Sequence, residues 1–226
     1  MVEPGGFARA PTNGQDHMLR EALLLVLAAC LAALAGMVDA IGYLHLSGLF
    51  VSFMSGNSTQ LAIAVGQGQL AEGGRIAELV VFFVLGAAGG QMLADIGGTR
   101  HMVWVLVAVA FLLALSGVLA TAPEPMTFAM GALNASMDRA GHIRVSVTFV
   151  TGALVRFGQG LGNFLIRKTT GWDWLAQVSP WVGLIAGAAI GSLAYIRVGE
   201  AVIWVAVGFA GLLAAGSLAM PQPKPT

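Results

Sequence analysis

Long apolar runs with few charges dominate the chain, and short groups of Gly, Pro or charged residues separate them. Because lipid offers no hydrogen bonds to an exposed backbone, such runs predict membrane helices that satisfy their own backbone groups. The pattern predicts eight helical segments, at approximately residues 20–44, 49–66, 76–96, 102–121, 125–139, 146–167, 176–197 and 200–219. Residues 1–18 and 220–226 are rich in Pro, Gly and polar residues, which predicts disordered tails.

Two of the eight segments are poor candidates for a simple membrane span. The second contains the polar run at 55–60, and the fifth is short and bounded by Pro123, Pro125 and Arg139. Irregular backbone is tolerated at membrane depth only where protein or a cavity surrounds it. We therefore expect that either segment is discontinuous or re-entrant.

A pair of short sequence motifs occurs twice in the chain, about a hundred positions apart. GMVDA at 36–40 precedes FMSGN at 53–57, and GALNA at 131–135 precedes FVTGA at 149–153. The duplication predicts two tandem membrane repeats of about four segments, residues 19–121 and 122–219, that enclose a polar centre. The repeats are parallel if every segment crosses the bilayer, and inverted if one segment of each is re-entrant.

Composition supports an all-α integral membrane protein of six to eight segments. Hydrophobic residues make up 57% of the 226 residues, charged residues 10%, and the mean hydropathy is +0.82. This composition leaves no room for a soluble catalytic domain, and the zero net charge argues against nucleic-acid binding. With eight crossings, six Lys and Arg fall on one side and four on the other, which only weakly favours a cytoplasmic amino terminus.

Chemical signatures of an enzyme are missing from the sequence. Cys30 is the single cysteine, so no internal disulfide or cysteine metal cluster is possible. The chain contains no H-E-x-x-H, no G-x-S-x-G and no Walker loop. We expect no enzymatic activity, no cofactor and no metal site; a carboxylate and hydroxyls coexist, but no nucleophile with its base is recognisable.

The paired motifs resemble those of the YoaK-like family, which are small bacterial inner-membrane proteins built on a domain of unknown function. The similarity extends from about Leu23 to Leu218 and rests on G-x-V-D-A, F-x-S/T-G-N, G-x-x-N-A and T-F-V-T-G in that order. Ser55 stands where Thr is expected, and Ala153 replaces an Asn-like position. The resemblance implies a polytopic helical fold in the inner membrane, with the bilayer as its surroundings, and implies no substrate.

Asp39 is the most informative residue, because an ionisable group inside an apolar helix costs about 2.5 to 3.5 kcal/mol on insertion scales and usually faces a partner or a cavity. Arg156 is its natural counterpart, near the centre of the sixth segment. The repeat aligns Asp39 with Asn134 and Gln60 with Arg156, which predicts polar pairs among these four residues. The pair is either part of a solute site or a structural ion pair that fixes the helices.

Polar side chains cluster around this predicted pair in both repeats. They would either bind a solute, with Gly56 and Gly152 as break points of discontinuous helices, or tie neighbouring helices together at roughly 0.6 kcal/mol each. The predicted solute ligands are Asp39, Arg156, Asn57, Ser58, Thr59, Gln60, Asn134, Thr151 and Gln159.

Glycines at four-residue spacing occur in the third segment of each repeat: Gly86 and Gly90 in one, and Gly183, Gly187 and Gly191 in the other. Such faces let another helix approach closely. They are either static packing surfaces within the chain, or surfaces that slide or join two copies in a homo-oligomer.

Two functions fit the sequence. The first is a transporter or channel for a small solute, with a polar site between the repeats near the bilayer midplane. The second is a membrane scaffold or assembly protein, in which the same polar residues only specify helix packing.

Overall fold

The computed structural model describes residues 14–137, 150–168 and 173–219, and all regular structure in these ranges is helical. The all-α prediction is therefore confirmed. The helices are α1 Gly14–His45, α2 Met54–Gly66, α3 Leu70–Gly97, α4 His101–Val118, α5 Pro123–Met137, α6 Val150–Leu165, α7 Ser179–Val198 and α8 Ile203–Leu218. Short 3-10 turns lie at Gly98–Arg100, Asp173–Val178 and Gly199–Val202.

The eight predicted segments correspond in order to these eight helices. The differences lie at the ends: α1 begins at Gly14, inside the predicted tail, and α3 begins at Leu70 rather than at residue 76. The other parts of the predicted tails, and the adjoining ends of the fifth and sixth segments, lie outside the described residues. Within those residues, three stretches are long and apolar enough to cross a membrane, namely Ala22–His45, Leu70–Val118 and Trp174–Leu218.

Helices of the first half pack mainly against helices of the second half. The largest contacts join α1 to α7, α3 to α5 and α4 to α8, and α5 also packs against α4. Side chains of α1, α4, α5 and α8 fill the main core, among them the fully buried Leu34, Val38, Leu106, Met130 and Leu133. The fold therefore depends on contacts between its two halves.

Glycines determine how closely α1 and α7 approach. A β carbon at Gly183 would lie 2.2 Å from the carbonyl oxygen of Ala29, and one at Gly187 would lie 1.9 Å from that of Ala33. A β carbon at Gly191 would lie 2.8 Å from the carbonyl oxygen of Met37. Because residue numbers rise together along both helices, α1 and α7 run parallel.

The contact between α3 and α5 repeats this geometry. A β carbon at Gly86 would lie 2.1 Å from the carbonyl oxygen of Phe128, and one at Gly90 would lie 2.6 Å from that of Ala132. These two helices also run parallel. In contrast, Gly117 near the end of α4 meets Ile203 at the start of α8, so α4 and α8 are antiparallel.

These contacts favour one of the two interpretations of the glycine faces, static packing within the chain. Gly86, Gly90, Gly183 and Gly187 are all buried against helices of the same chain, as is Gly191. Helices of the same chain already cover these faces, and a homo-oligomer stays a prediction. Close packing within the chain explains their spacing.

Residues 46–53, which we call the fold-back loop, reverse the chain direction after α1. The loop lies against the last turns of α1, where a β carbon at Gly42 would lie 2.9 Å from a methyl carbon of Val51. Leu49 of the loop packs with Ala64 near the end of α2 and with Ile76 and Leu79 near the start of α3. The chain therefore folds back beside α1 and returns along α2 to the end at which α3 begins.

Of the two segments that looked unsuited to a simple span, the second is the one that turns back. Helix α2 has 13 residues, which is about 20 Å and too short for a hydrocarbon core of about 30 Å. The fifth segment is instead one continuous helix, α5, whose residues between Met126 and Asn134 are almost all buried.

The two ends of the helix bundle can be identified from contacts. At the end where α1 stops, Nδ1 of His45 lies 3.3 Å from a carboxylate oxygen of Glu200, in the turn between α7 and α8. At the same end, Leu49 of the fold-back loop borders a cavity of about 240 Å³ together with Arg75 of α3 and Glu124 of α5. We call this the His45 end, and the opposite end, where α3 meets α4, the Arg100 end.

Candidate functional site

Asp39 anchors the fold-back loop to α1. Its side chain is only 7% exposed. One carboxylate oxygen, Oδ1, accepts hydrogen bonds from the backbone N–H of Val51 at 2.9 Å and of Ser52 at 2.7 Å. The other oxygen, Oδ2, accepts a hydrogen bond from the Ser52 hydroxyl. A buried loop must satisfy its backbone donors, and Asp39 satisfies two of them.

Asn57 and Gln60, on α2, hold the same loop from its other side. Asn57 is fully buried; its Oδ1 accepts from the N–H of Phe50 at 3.0 Å, and its Nδ2 donates to the carbonyl of Phe50 at 2.6 Å. Gln60 donates from Nε2 to the carbonyl of Gly48 at 3.1 Å. Three predicted solute ligands thus bind loop backbone in this structure, and their role as solute ligands stays a prediction.

Ser58 and Thr59 are exposed on α2 and bond within their own helix. The Ser58 hydroxyl donates to the carbonyl of Met54 at 2.7 Å, and the Thr59 hydroxyl donates to that of Ser55 at 3.1 Å. Gly56 lies in the first turn of α2, so the interruption in the helical path is the fold-back loop that precedes it. Gly152 has the corresponding place in α6, and the residues before Val150 lie outside the described ranges.

The predicted pairing of Asp39 with Arg156 is wrong. Backbone amides and a hydroxyl of the fold-back loop, rather than a guanidinium group, surround the Asp39 carboxylate. Helix α6, which carries Arg156, packs mainly on the turn at Asp173–Val178 and on α7. There Phe157 and Phe164 contact Trp174, with ring centroids 5.2 and 6.0 Å apart.

The remaining predicted ligands are spread over the second half of the chain. Arg156 is partly buried on α6, whereas Thr151 and Gln159 on the same helix are exposed. Asn134 is buried on α5, and its Nδ2 donates to the carbonyl of Met130, four residues earlier, at 2.8 Å. The described hydrogen bonds of the Asp39 carboxylate involve none of these four side chains.

A cleft of about 550 Å³ lies between α1, the fold-back loop and α7. Asp39 and Ser192 contribute polar atoms to a wall that is otherwise mainly apolar or aromatic. Three rings follow one another on the loop side, with centroids 5.0 Å apart for Tyr43 and Phe50 and 5.9 Å apart for Phe50 and Phe53. The lining residues are Gly36, Asp39, Ala40, Tyr43, Leu44, Phe50, Phe53, Leu184, Ala188 and Ser192.

Asp39 is the one predicted ligand that borders this cleft. Sequence reasoning missed Tyr43, Phe50, Phe53 and Ser192, because it searched for polar residues. An available signal was the grouping of three aromatic residues on both sides of the predicted turn after the first segment. In the part of the chain that the structure describes, no group of three His, Cys, Asp or Glu side chains is placed to hold a metal ion.

The long apolar helices, the buried loop and the cleft beside it define a polytopic α-helical membrane protein. The family model described as "Protein of unknown function (DUF1275)" matches residues 27–216, and the chain belongs to this family. It is also similar to a UPF0700 transmembrane protein of Rhizobium meliloti (strain 1021), with 39% identity over 209 residues and 90% of each chain covered. The YoaK-like resemblance is thereby confirmed.

No solved structure matches the chain. The family and the relative carry no enzyme name.

Proposed function

We propose that the protein is a transporter of a small solute, built from two inverted repeats that each contain three crossing helices and one re-entrant segment. The observation that carries this proposal is the fold-back loop, which is anchored at Asp39 inside α1 and opens a cleft against α7 of the other half. Transporters of this general design place their solute at the repeat interface, next to interrupted helices.

Equivalent contacts support the repeat. Gly86 meets Phe128, and Gly187 meets Ala33, through the same backbone approach. Gly187 corresponds to Gly86 in the repeated glycine motif, and Phe128 lies as far before Gly131 as Ala33 lies before Gly36. The third helix of each half therefore packs on the first helix of the other half at matching residues.

Helix directions support inversion rather than a parallel arrangement. Helices α1 and α7 share one direction, and α3 and α5 share another. Because α2 returns to the His45 end, α3 runs opposite to α1, and short turns then reverse the chain before α4 and α5. The first helix of one half and the first helix of the other consequently point in opposite directions, as do α4 and α8.

Lys and Arg residues are distributed more unequally between the two sides of the membrane with six crossings than with eight. The described basic residues at the His45 end are Arg75 and Arg197, whereas Arg20, Arg100, Arg167 and Lys168 belong to segments at the Arg100 end. We propose that the protein lies in the bacterial inner membrane, where the positive-inside rule places the Arg100 end in the cytoplasm.

Uptake into proteoliposomes tests the transport function. Labelled solutes of four classes, an organic cation, a carboxylate, an amino acid and a sugar, are offered to vesicles that contain the purified protein. We expect at least one class to enter faster than into protein-free vesicles. Uptake should fall in Ala188→Phe, which fills the cleft, and persist in Ala189→Phe, which adds the same ring at an exposed position of α7. If all four classes enter at the protein-free rate, the proposal fails.

The scaffold alternative also has a specific observation in its favour, since Asp39, Asn57 and Gln60 all bond to loop backbone. In a scaffold, these residues would matter only for stability, and filling the cleft would change no activity. A cleft-filling variant that is as stable as the original chain but loses uptake distinguishes the two functions.

A further inference from the structure

We infer, building on the proposed transport function, that the cleft between α1, the fold-back loop and α7 binds a small organic cation with an apolar body, such as an aliphatic or aromatic amine or a quaternary ammonium compound. The inference names the class of solute. It rests on the charge, the rings and the size of the cleft.

The charge of the cleft favours a cation. Asp39 is the one ionisable acid in its described lining, and no Lys, Arg or His accompanies it there. The three donors on the carboxylate are two backbone amides and one hydroxyl, all of them neutral. Hydrogen bonds from neutral donors stabilise the carboxylate without cancelling its charge, so the negative charge remains available to attract a cation.

Aromatic rings supply a second attraction for the same class. Tyr43, Phe50 and Phe53 border the cleft next to Asp39. The face of an aromatic ring attracts an ammonium group within about 6 Å, and rings grouped around a pocket recognise quaternary ammonium ligands. The aliphatic residues Leu44, Leu184 and Ala188 complete a wall suited to an apolar body. A volume of about 550 Å³ is within the usual range for small-molecule sites.

The end of the bundle next to the cleft also carries an excess of negatively charged residues. Among the described residues at the His45 end, Glu72, Glu78, Glu124 and Glu200 outnumber Arg75 and Arg197. Tyr43 and Leu44, which border the cleft, lie in the last turn of α1 at this end and are each more than 40% exposed. An acidic end of the bundle raises the local concentration of cations at the cleft.

Equilibrium binding tests the inference without any requirement for transport. The purified protein in lipid nanodiscs is dialysed against labelled benzyltrimethylammonium, and empty nanodiscs correct for partition into lipid. Neopentylbenzene, the neutral carbon analogue of the same shape, and benzenesulfonate, an anion, serve as competitors. We expect saturable binding of the cation and at least tenfold weaker competition by both analogues.

Variants locate the site. Asp39→Asn removes the charge, and its amide can still accept from both backbone N–H groups and donate to the Ser52 hydroxyl, so the loop stays anchored. This variant and Phe53→Leu are each expected to weaken cation binding about tenfold. Phe111→Leu on α4, where the ring is 67% exposed and away from the cleft, should bind as the original chain does.

Equal competition by the neutral analogue, or Asp39→Asn and Phe53→Leu binding as tightly as Phe111→Leu, would overturn the inference. The result of this binding experiment can be distinguished from the result of the uptake assay. Cation binding without uptake of any solute leaves the inference standing and removes the transport function, whereas uptake of another solute class without cation binding does the reverse.

Discussion

Asp39 and Ser52 lie 13 positions apart and are joined twice, since the carboxylate accepts both the backbone N–H and the hydroxyl of the serine. A third hydrogen bond from the N–H of Val51 completes the contact. All three donors belong to the fold-back loop, so one side chain of α1 determines how deeply the loop lies beside the helix. The positions of Phe50 and Phe53, the two loop residues that border the cleft, follow from that depth.

Asp39→Ala should destabilise the protein far more than Asp39→Asn. Alanine leaves two buried backbone donors unsatisfied, at about 1 to 3 kcal/mol each, so we expect a loss of roughly 2 to 5 kcal/mol in the free energy of unfolding. Asparagine can reproduce the same pattern of bonds without the charge, and we expect a loss of about 1 kcal/mol. Unfolding of the purified variants in detergent, followed by tryptophan fluorescence, measures the difference. Equal losses would show that the charge, not the bonding pattern, anchors the loop.

Asn57 should be the most sensitive polar residue of α2. Truncation in Asn57→Ala removes its hydrogen bonds to both the N–H and the carbonyl of Phe50. We expect a loss of about 2 to 4 kcal/mol in the free energy of unfolding, because both groups are left in a largely buried loop.

Ser58→Ala is the matched control, since Ser58 is exposed and bonds only to its own helix at Met54. We expect a change within about 0.5 kcal/mol. The same fluorescence-detected unfolding compares the two variants. If Ser58→Ala proves as costly as Asn57→Ala, the loop contact is not what makes Asn57 important.

Apolar runs bounded by Gly, Pro or charged residues were sufficient to predict the approximate positions of all eight helices, because each of these signals is local in the sequence. The direction in which a segment runs depends instead on contacts between residues that are distant in the sequence. The fold-back after α1 depends on Asp39 meeting backbone amides of Val51 and Ser52, and backbone donors are the same in every sequence. For this reason a reading of side chains alone paired Asp39 with the charge of Arg156.

The sequence already indicated that the second segment, 49–66, is a poor membrane span, because of its polar run at 55–60. Its helical length could not be predicted, since residues 49–53 belong to the fold-back loop and only the 13 residues of α2 are helical. The grouping of Tyr43, Phe50 and Phe53 is visible in the sequence, but their ring contacts are not, because these rings meet only after the chain reverses.

Gly187→Ala should disrupt the contact between α1 and α7. The added methyl group would lie 1.9 Å from the carbonyl oxygen of Ala33, and backbone on both sides cannot yield as a flexible side chain would. We expect a loss of at least about 2 kcal/mol in the free energy of unfolding, or a failure to recover folded protein.

Gly211→Ala in α8 is the control, because nothing lies within 4 Å of the added methyl group. Alanine favours a helix over glycine by up to about 1 kcal/mol, so this variant should be neutral or slightly stabilised. Size-exclusion profiles and thermal unfolding in detergent compare the two. Similar behaviour of both variants would mean that α1 and α7 are not held at backbone contact.

Labelling of single cysteines separates six crossings from eight. In a Cys30→Ala background, Ser47→Cys lies just after α1 and Gln69→Cys just before α3, and both positions are exposed. If α2 returns to the His45 end, a membrane-impermeant maleimide added to intact spheroplasts labels both. If α2 crosses the bilayer, the maleimide labels only one of the two cysteines, because positions 47 and 69 are then on opposite sides of the membrane.

The cytoplasmic reference positions for this experiment are Thr99→Cys, between α3 and α4, and Lys168→Cys, after α6; both are exposed and at the Arg100 end. We expect them to react only after the membrane is permeabilised, because the excess of basic residues holds this end in the cytoplasm. Labelling of all four positions only after permeabilisation would contradict a six-crossing chain. Reaction of Thr99→Cys and Lys168→Cys in intact spheroplasts, with Ser47→Cys and Gln69→Cys protected, would keep the six crossings and reverse the orientation. The acidic His45 end would then face the cytoplasm, and the cleft would receive its cation from that side.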